Sequence, residues 1–305
     1  MGRFGRIVER GEGTLRPRKP PGRNASPELN LPGSVILNRL DLPPAPAMST
    51  PVTPYAPADP TEEGRSKRQQ VERMFDNISP YYDVLNRVLS LGIDRQWRKK
   101  AVALLPTRLG PHVMDMATGT ADLAVEIVRQ RPDARVTGID VSTDMLSRGQ
   151  TKLRKLGLDM AIELVRGASE RIDYPDDTFD AATVAFGVRN FEDTVGGLTE
   201  MRRVIRPGGR LIVLEFSRIR TFPIKQAFNL YFGRVLPWIG RVWSSDPRAY
   251  SYLYESVQAF PDGKEFARLL ESAGFVQPSW QALTLGICTI YTAQVPSAPV
   301  ASATP

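Results

Sequence analysis

The 305-residue chain has one cysteine, Cys288, and one histidine, His112. A single cysteine excludes an intramolecular disulfide and any cysteine-rich metal site. A single histidine leaves a Ser-His-Asp triad only if His112 supplies it. That residue follows Pro111 and is expected on a surface loop just ahead of the first strand. No metal is expected. No stretch approaches the ~20 apolar residues of a membrane span, and the N-terminus lacks the apolar core of a secretory signal. The expected location is therefore cytoplasmic. Glycine is scarce where a nucleotide loop would want it. VMDMATGTADLA (113–124) holds only Gly119, with Ala117 and Ala121 on either side.

Proline and positive charge are plentiful. Residues 1–65 are rich in Pro, Arg, Gly and Ser, as in RPRKPPGRNASPELNLPGS, and carry no sustained apolar period. Such a segment buries too little surface to offset its ordering entropy, so a disordered extension is expected, with a second disordered tail over 296–305. Met48 opens a second plausible start, which makes residues 1–47 candidate upstream sequence; the native N-terminal mass tests this. The net charge of +7 favours an anionic partner, either nucleic acid or an acidic membrane surface.

Regular patterning begins near residue 66. Val71, Met74, Phe75 and Ile78 fall at helical spacing, and YYDVLNRVLSLGIDRQWRKKAVALL continues as one or two more helices. Strands and helices then alternate. Strands are expected at 113–117, 134–140, 161–165, 179–186 and 210–216. Ser142 is a fair N-cap and Gly157 a fair C-cap for the helix between the second and third strands. A helix near 192–205 should end at the turn RPGG. A helical insertion over 222–256 and a helix at 263–273 precede two closing strands, VQPSWQAL and CTIYTAQV, joined closely enough for an antiparallel hairpin. This order predicts a doubly wound α/β fold: a seven-stranded Rossmann-like sheet with N-terminal helices and a helical insertion before the closing pair.

In such sheets a ligand sits at the carboxyl ends of the strands. Gly119 permits close backbone approach, and the next helix offers its N-terminal N–H groups. Asp140 closes the second strand about twenty residues later, where a carboxylate accepts ribose hydroxyls. The dinucleotide fingerprint G-x-G-x-x-G is absent. D-x-A-T-G-T-A instead resembles the D/E-x-G-x-G-x-G loop of class I S-adenosylmethionine methyltransferases, with alanine at the outer glycines. That cofactor has no pyrophosphate to cradle, and an acid at 115 or 122 would suit its sulfonium charge.

Three further stretches carry a resemblance over roughly residues 66–295. MFDNISPYYDVLNRVLSLGIDRQWRK, AFGVRNFEDTVGGLTEMRRVIRPGGRLIVLEFS and YLYESVQAFPDGKEFARLLESAGF look like the menaquinone/ubiquinone-biosynthesis C-methyltransferase family. The resemblance implies transfer of the S-adenosylmethionine methyl group to a ring carbon of a prenylated quinol, releasing S-adenosylhomocysteine. ESVQAFPDG is closer to the menaquinone branch, whose acceptor is demethylmenaquinol. The ubiquinone branch and another small molecule are the alternatives.

The residues expected to hold the cofactor are Asp115, Ala117, Gly119, Thr120, Asp140, Val141, Met145, Ala168, Ser169 and Ala185. At the adenine-flanking pair the family has Gly-Asp or Ala-Asn, whereas this chain reads Ala168-Ser169. Ala168 has no side-chain acceptor; Ser169 or a backbone carbonyl is the substitute. Arg189 and Asn190, in AFGVRN, are expected to orient or polarise the quinol. Tyr82 and Asp83, with Asn86, are expected to close over it. A phenol near pKa 10 needs no powerful base, so the shortage of His and Cys is no obstacle. The prenylated quinol lies in the bilayer, and QAFNLYFGRVLPWIGRVW (226–243) interleaves aromatics with arginines as an interfacial segment does. Peripheral attachment to the inner membrane face is expected. Nucleic acid is not an expected partner: the Asp/Asn-Pro-Pro-aromatic motif of amino-group methylation is missing. The oligomeric state is left open, a homo-oligomer included.

Overall fold

The structure, a computed structural model, describes residues 66–79, 90, 92–108, 110–220, 222, 226 and 248–297. The N-terminal extension, Met48, Tyr82, Asp83, Asn86 and all but one residue of 226–243 lie outside the described residues.

Helix α1 (Lys67–Ile78) starts at a reciprocal cap. Gln69 N–H donates to Ser66 Oγ at 3.3 Å, and Ser66 N–H donates to Gln69 Oε1 at 3.1 Å. Helix α2 (Asp94–Val102) follows. The alternating part runs β1 (His112–Met116), α3 (Asp122–Gln130), β2 (Arg135–Asp140), α4 (Thr143–Leu156), β3 (Ile162–Arg166), β4 (Phe179–Ala185), α5 (Thr194–Val204) and β5 (Ile205–Phe216). Helices α6 (Arg248–Ala259) and α7 (Lys264–Ser272) lead into β6 (Val276–Leu283) and β7 (Cys288–Gln294).

The sheet order is β3-β2-β1-β4-β5-β7-β6. Strands β1 to β5 pair in parallel, and β7 runs antiparallel to both β5 and β6. The expected closing hairpin is present, with β7 inserted between β5 and the edge strand. Side chains alternate across the sheet. Met114, Met116, Val184 and Val213 pack beneath α5 and α7, while Val113, Val136, Ile212 and Leu214 pack against α2 and α3. Burial on both faces explains why β5 reads as an almost continuous apolar run.

Ser142 and Gly157 cap α4 as expected: Met145 N–H donates to Ser142 Oγ, and Gly157 takes the left-handed conformation. Two expectations need correction. RPGG is not a free turn but the irregular start of β5, where pairing with β4 shifts between Phe179 and Ala181. His112 is not a loop residue. It opens β1, half-buried, with Nε2 3.0 Å from Thr137 Oγ1 and its ring against Phe179. Burial lowers its pKa. It sits at the amino end of β1, away from the strand ends where ligands bind.

Candidate active site

The loop after β1 winds tightly. Ala117, Gly119 and Ala121 all have positive φ, at 54°, 57° and 67°. Two of the three therefore carry a Cβ in a region that favours glycine. Thr118 N–H donates to Ile139 O at 3.1 Å, tying the loop to β2. Gly119 N–H donates to Asp140 Oδ2 at 2.8 Å, and Ser142 N–H to Asp140 Oδ1 at 2.9 Å. The Val141 N–H bears on the same carboxylate, which has about four acceptor sites in all and so keeps capacity beyond these backbone donors. Burial raises the Asp140 pKa, opposed by these backbone donors.

A cavity of about 660 Å³, counting its open mouth, lies at the carboxyl ends of β1, β2 and β4. Ala117, Gly119, Asp140, Val141, Met145, Ser169, Ala185 and Asn190 line it, so eight of the residues singled out from the sequence meet there. Helix α1 supplies a wall through Arg68, Val71 and Phe75. A wider groove of about 2000 Å³, its open mouth likewise counted, lies between α2, α3 and α4 and is lined mainly by charged side chains of both signs.

Other expected residues stand elsewhere. Asp115 is fully buried under the loop, accepting from Thr118 Oγ1 at 2.6 Å and Thr183 Oγ1 at 2.7 Å. Desolvation raises its pKa to about 6, with both threonines favouring the charged form. Thr120 is buried behind the loop and accepts from Lys152 Nζ at 3.1 Å. Lys152 also pairs with Asp122, at 2.7 Å. Neither acid considered for the sulfonium, 115 or 122, lines the cavity. Ala168 is also missing from the wall; its neighbours Gly167, Ser169 and Glu170 form that stretch.

The loop after β4 makes one turn of 3-10 helix, Val188–Asn190. It places Asn190 in the wall and turns Arg189 into the protein. Arg189 Nη1 donates to Glu215 Oε1 at 2.6 Å and to Phe186 O at 2.5 Å, and Nε donates to Ser256 Oγ at 3.3 Å. Glu215 is fully buried, and desolvation raises its pKa against the pull of Arg189. Asn190 Oδ1 accepts from the Tyr252 hydroxyl at 3.0 Å. Lys67, the first residue of α1, donates to the carbonyls of Arg189 at 3.3 Å and Phe191 at 2.8 Å. Burial lowers its pKa to about 8, and Glu170 and Glu192 resist that fall.

Sequence reading missed Lys67, Glu215 and Tyr252. Only Glu215 had a visible signal, an acid inside the apolar run LIVLEF. A buried acid in a central strand requires a partner. Lys67 lies in the charged run RSKRQQ, which reads as a solvated helix face.

A mostly parallel sheet with one antiparallel strand next to its edge, and a cavity at the strand ends beside a β1 loop and a β2 acid, define a class I S-adenosylmethionine-dependent methyltransferase. The chain matches the ubiE/COQ5 methyltransferase family over residues 63–294 and belongs to that family. It is 43% identical over 240 residues to a demethylmenaquinone methyltransferase of Bacteroides fragilis, covering 79% of this chain and 98% of that protein. It is 43% identical over 232 residues to a demethylmenaquinone methyltransferase of Deinococcus radiodurans, covering 76% and 95%. A ubiquinone/menaquinone biosynthesis C-methyltransferase of Geobacter sulfurreducens is 44% identical over 229 residues, covering 75% and 89%. Among solved structures, a SAM-dependent methyltransferase of Thermotoga maritima superposes with a TM-score of 0.53 at 15% identity, covering 73% of this chain and 98% of that one. That likeness shows the fold alone. Among the described residues, no helix is long and apolar enough to cross a membrane, and no group of acids, His and Cys forms a metal site.

Proposed function

We propose that this protein transfers a methyl group from S-adenosylmethionine to a ring carbon of demethylmenaquinol. One observation carries the reading. Gly119, Asp140 and Asn190 converge on a single cavity, in a chain 43% identical to proteins named for that reaction.

The residues present fit the cofactor. Asp140 has acceptor capacity to spare for a ribose hydroxyl, and Gly119 exposes backbone at the loop. Met145 and Val141 supply apolar surface, and Ser169 a hydroxyl, for the adenine end. When bound, S-adenosylmethionine supplies an electrophilic methyl group on a sulfonium. The protein then has to orient a quinol ring carbon in line with that methyl and exclude water. Asn190 is the polar side chain assigned to a quinol oxygen, its amide oxygen already engaged by Tyr252. Arg189, bound to Glu215, holds the loop that presents it. No strong base is assigned: a hydrogen-bond acceptor at the quinol hydroxyl makes the ring electron-rich, and the ring-carbon hydrogen that the methyl group replaces leaves as a proton, released to solvent with the products.

The acceptor is a membrane lipid, and the arginines and aromatics of 226–243 support peripheral membrane association. Salt-sensitive co-sedimentation with anionic vesicles is expected; no co-sedimentation at low salt removes this part. The activity itself is tested with labelled S-adenosylmethionine and either demethylmenaquinol or its ubiquinone-pathway counterpart. Label in menaquinol is expected. Label only in the other quinol transfers the assignment to that branch, and label in neither overturns it.

A further inference from the structure

Among the described residues, Lys67 carries an unusually placed charge. Its side chain is buried, only 8% of the residue is exposed, and its ammonium points at main chain rather than at a carboxylate. An ammonium carries a heavy desolvation cost. The contacts that hold it are specific: it spans the carbonyls of residues 189 and 191, one on each side of Asn190. Glu170 Oε1 accepts the Glu192 N–H at 2.8 Å and the Asp193 N–H at 3.3 Å, holding the residues that follow.

The second observation concerns the helix that carries Lys67. Arg68, Val71 and Phe75 of α1 form part of the cavity wall. Farther along, Glu72 accepts from Arg166 at 2.6 Å, Asp76 accepts from Ser142 Oγ at 2.5 Å, and Ser79 Oγ accepts from Arg148 Nε at 3.0 Å. Those polar links join α1 to β3 and α4. Among these hydrogen bonds, those of Lys67 are the ones that reach the loop after β4.

We propose that Lys67 is a positioning residue, whose ammonium bridges the carbonyls flanking Asn190 and sets that side chain in the wall of the cavity when α1 is seated. The role rests on the reading of this cavity as the methyl-transfer site. Its physical content, the ordering of 188–192 by Lys67, is independent of which quinol is methylated.

The test uses the full chain with Lys67→Met, Lys67→Arg and, as a control on α1 seating, Glu72→Gln. Lys67→Met removes the donors and keeps the length. It should lower kcat roughly tenfold or more, the effect of losing charge-assisted hydrogen bonds, with a smaller change in S-adenosylmethionine affinity. Lys67→Arg, which keeps charge and donors, should recover part of the loss. Hydrogen exchange should quicken at the amides of 188–192 in Lys67→Met while β4 and β5 stay protected, and Glu72→Gln should not reproduce this. Unchanged exchange at 188–192, an Arg variant no better than Met, or the same losses in Glu72→Gln would each overturn the proposal. If the wild-type chain methylates no quinol but exchange at 188–192 still responds to Lys67→Met, the substrate reading fails and the positioning role stands.

Discussion

Arg189 Nη1 lies 2.6 Å from Glu215 Oε1, and both side chains are buried, so the loop after β4 is pinned to the end of β5 by an ion pair shut away from water. The guanidinium also closes on the Phe186 carbonyl, and Phe216 N–H donates to Glu215 Oε1 at 2.9 Å. Removing either charge leaves the other buried and unpaired, which costs about 3–5 kcal/mol. Glu215→Gln should therefore lower the denaturation midpoint sharply and reduce turnover through Asn190. A stability change under about 1 kcal/mol would show that the pair is inconsequential.

The methyl of Ala117 occupies the place a side chain on residue 187 would need. A Cβ built on Gly187 would fall 2.4 Å from Ala117 Cβ. Gly187 itself has φ −116°, which any residue adopts, so its smallness answers to Ala117 and not to backbone strain. Gly187→Ala should destabilise by about 1–3 kcal/mol, the usual scale of overpacking. Adding Ala117→Gly should return most of that. A double variant as unstable as the single one would refute the coupling.

Ala121 pays a different penalty, since it caps α3 at φ 67°. A left-handed residue with a Cβ costs roughly 1–2 kcal/mol, and glycine's extra unfolded-state entropy returns part of it. Ala121→Gly should raise the unfolding free energy by about 0.5–1 kcal/mol in urea titrations. A loss of stability would mean that the Cβ packing outweighs the strain.

Asp115 predicts a pH dependence. Its folded-state pKa of about 6 lies above the ordinary carboxylate value of 3.8, because burial disfavours the charge. The folded state then holds the proton more tightly than the unfolded chain. The stability this adds is fully present below about pH 4 and is lost as pH rises through about 6. The change is on the order of 3 kcal/mol. Asp115→Asn removes the titrating group, so wild type and variant should differ in their pH slope across that window. Parallel stability curves between pH 4 and 6.5 would sink the assignment.

Asp140 tests the cofactor reading directly. Asp140→Asn keeps an acceptor for one backbone N–H but loses charge-assisted bonding to a ribose. The dissociation constant for S-adenosylmethionine, measured by calorimetry, should rise about tenfold or more. Equal affinities would remove Asp140 from the binding site.

Much of this architecture is legible in the residue order. Alternating apolar runs and helical periods mark the strands and helices, because burial on a sheet face or a helix stripe imposes those periods locally. Ser142 and Gly157 announce their helix ends through cap chemistry that involves only near neighbours. Of the site, Gly119, Asp140, Ser169 and Asn190 are readable because each sits at a strand end, the one place in an open α/β sheet where a functional group can face a ligand.

Sequence alone thus determined the fold class, the strand ends beside which Gly119, Asp140 and Asn190 fall, and the family. It did not decide which way those side chains turn. Asp115, Thr120 and Arg189 are neighbours in sequence of residues in the cavity wall, yet each points into the protein, toward Thr183, Lys152 and Glu215. Those partners lie 26 to 68 residues away along the chain. Lys67 is farther still from the loop it grips, 122 and 124 residues from its two carbonyls. Local periodicity carries no information about such distances. Only the tertiary structure decided that a lysine in a charged helical run would be buried, because sheet topology brings α1 and the end of β4 to the same cavity.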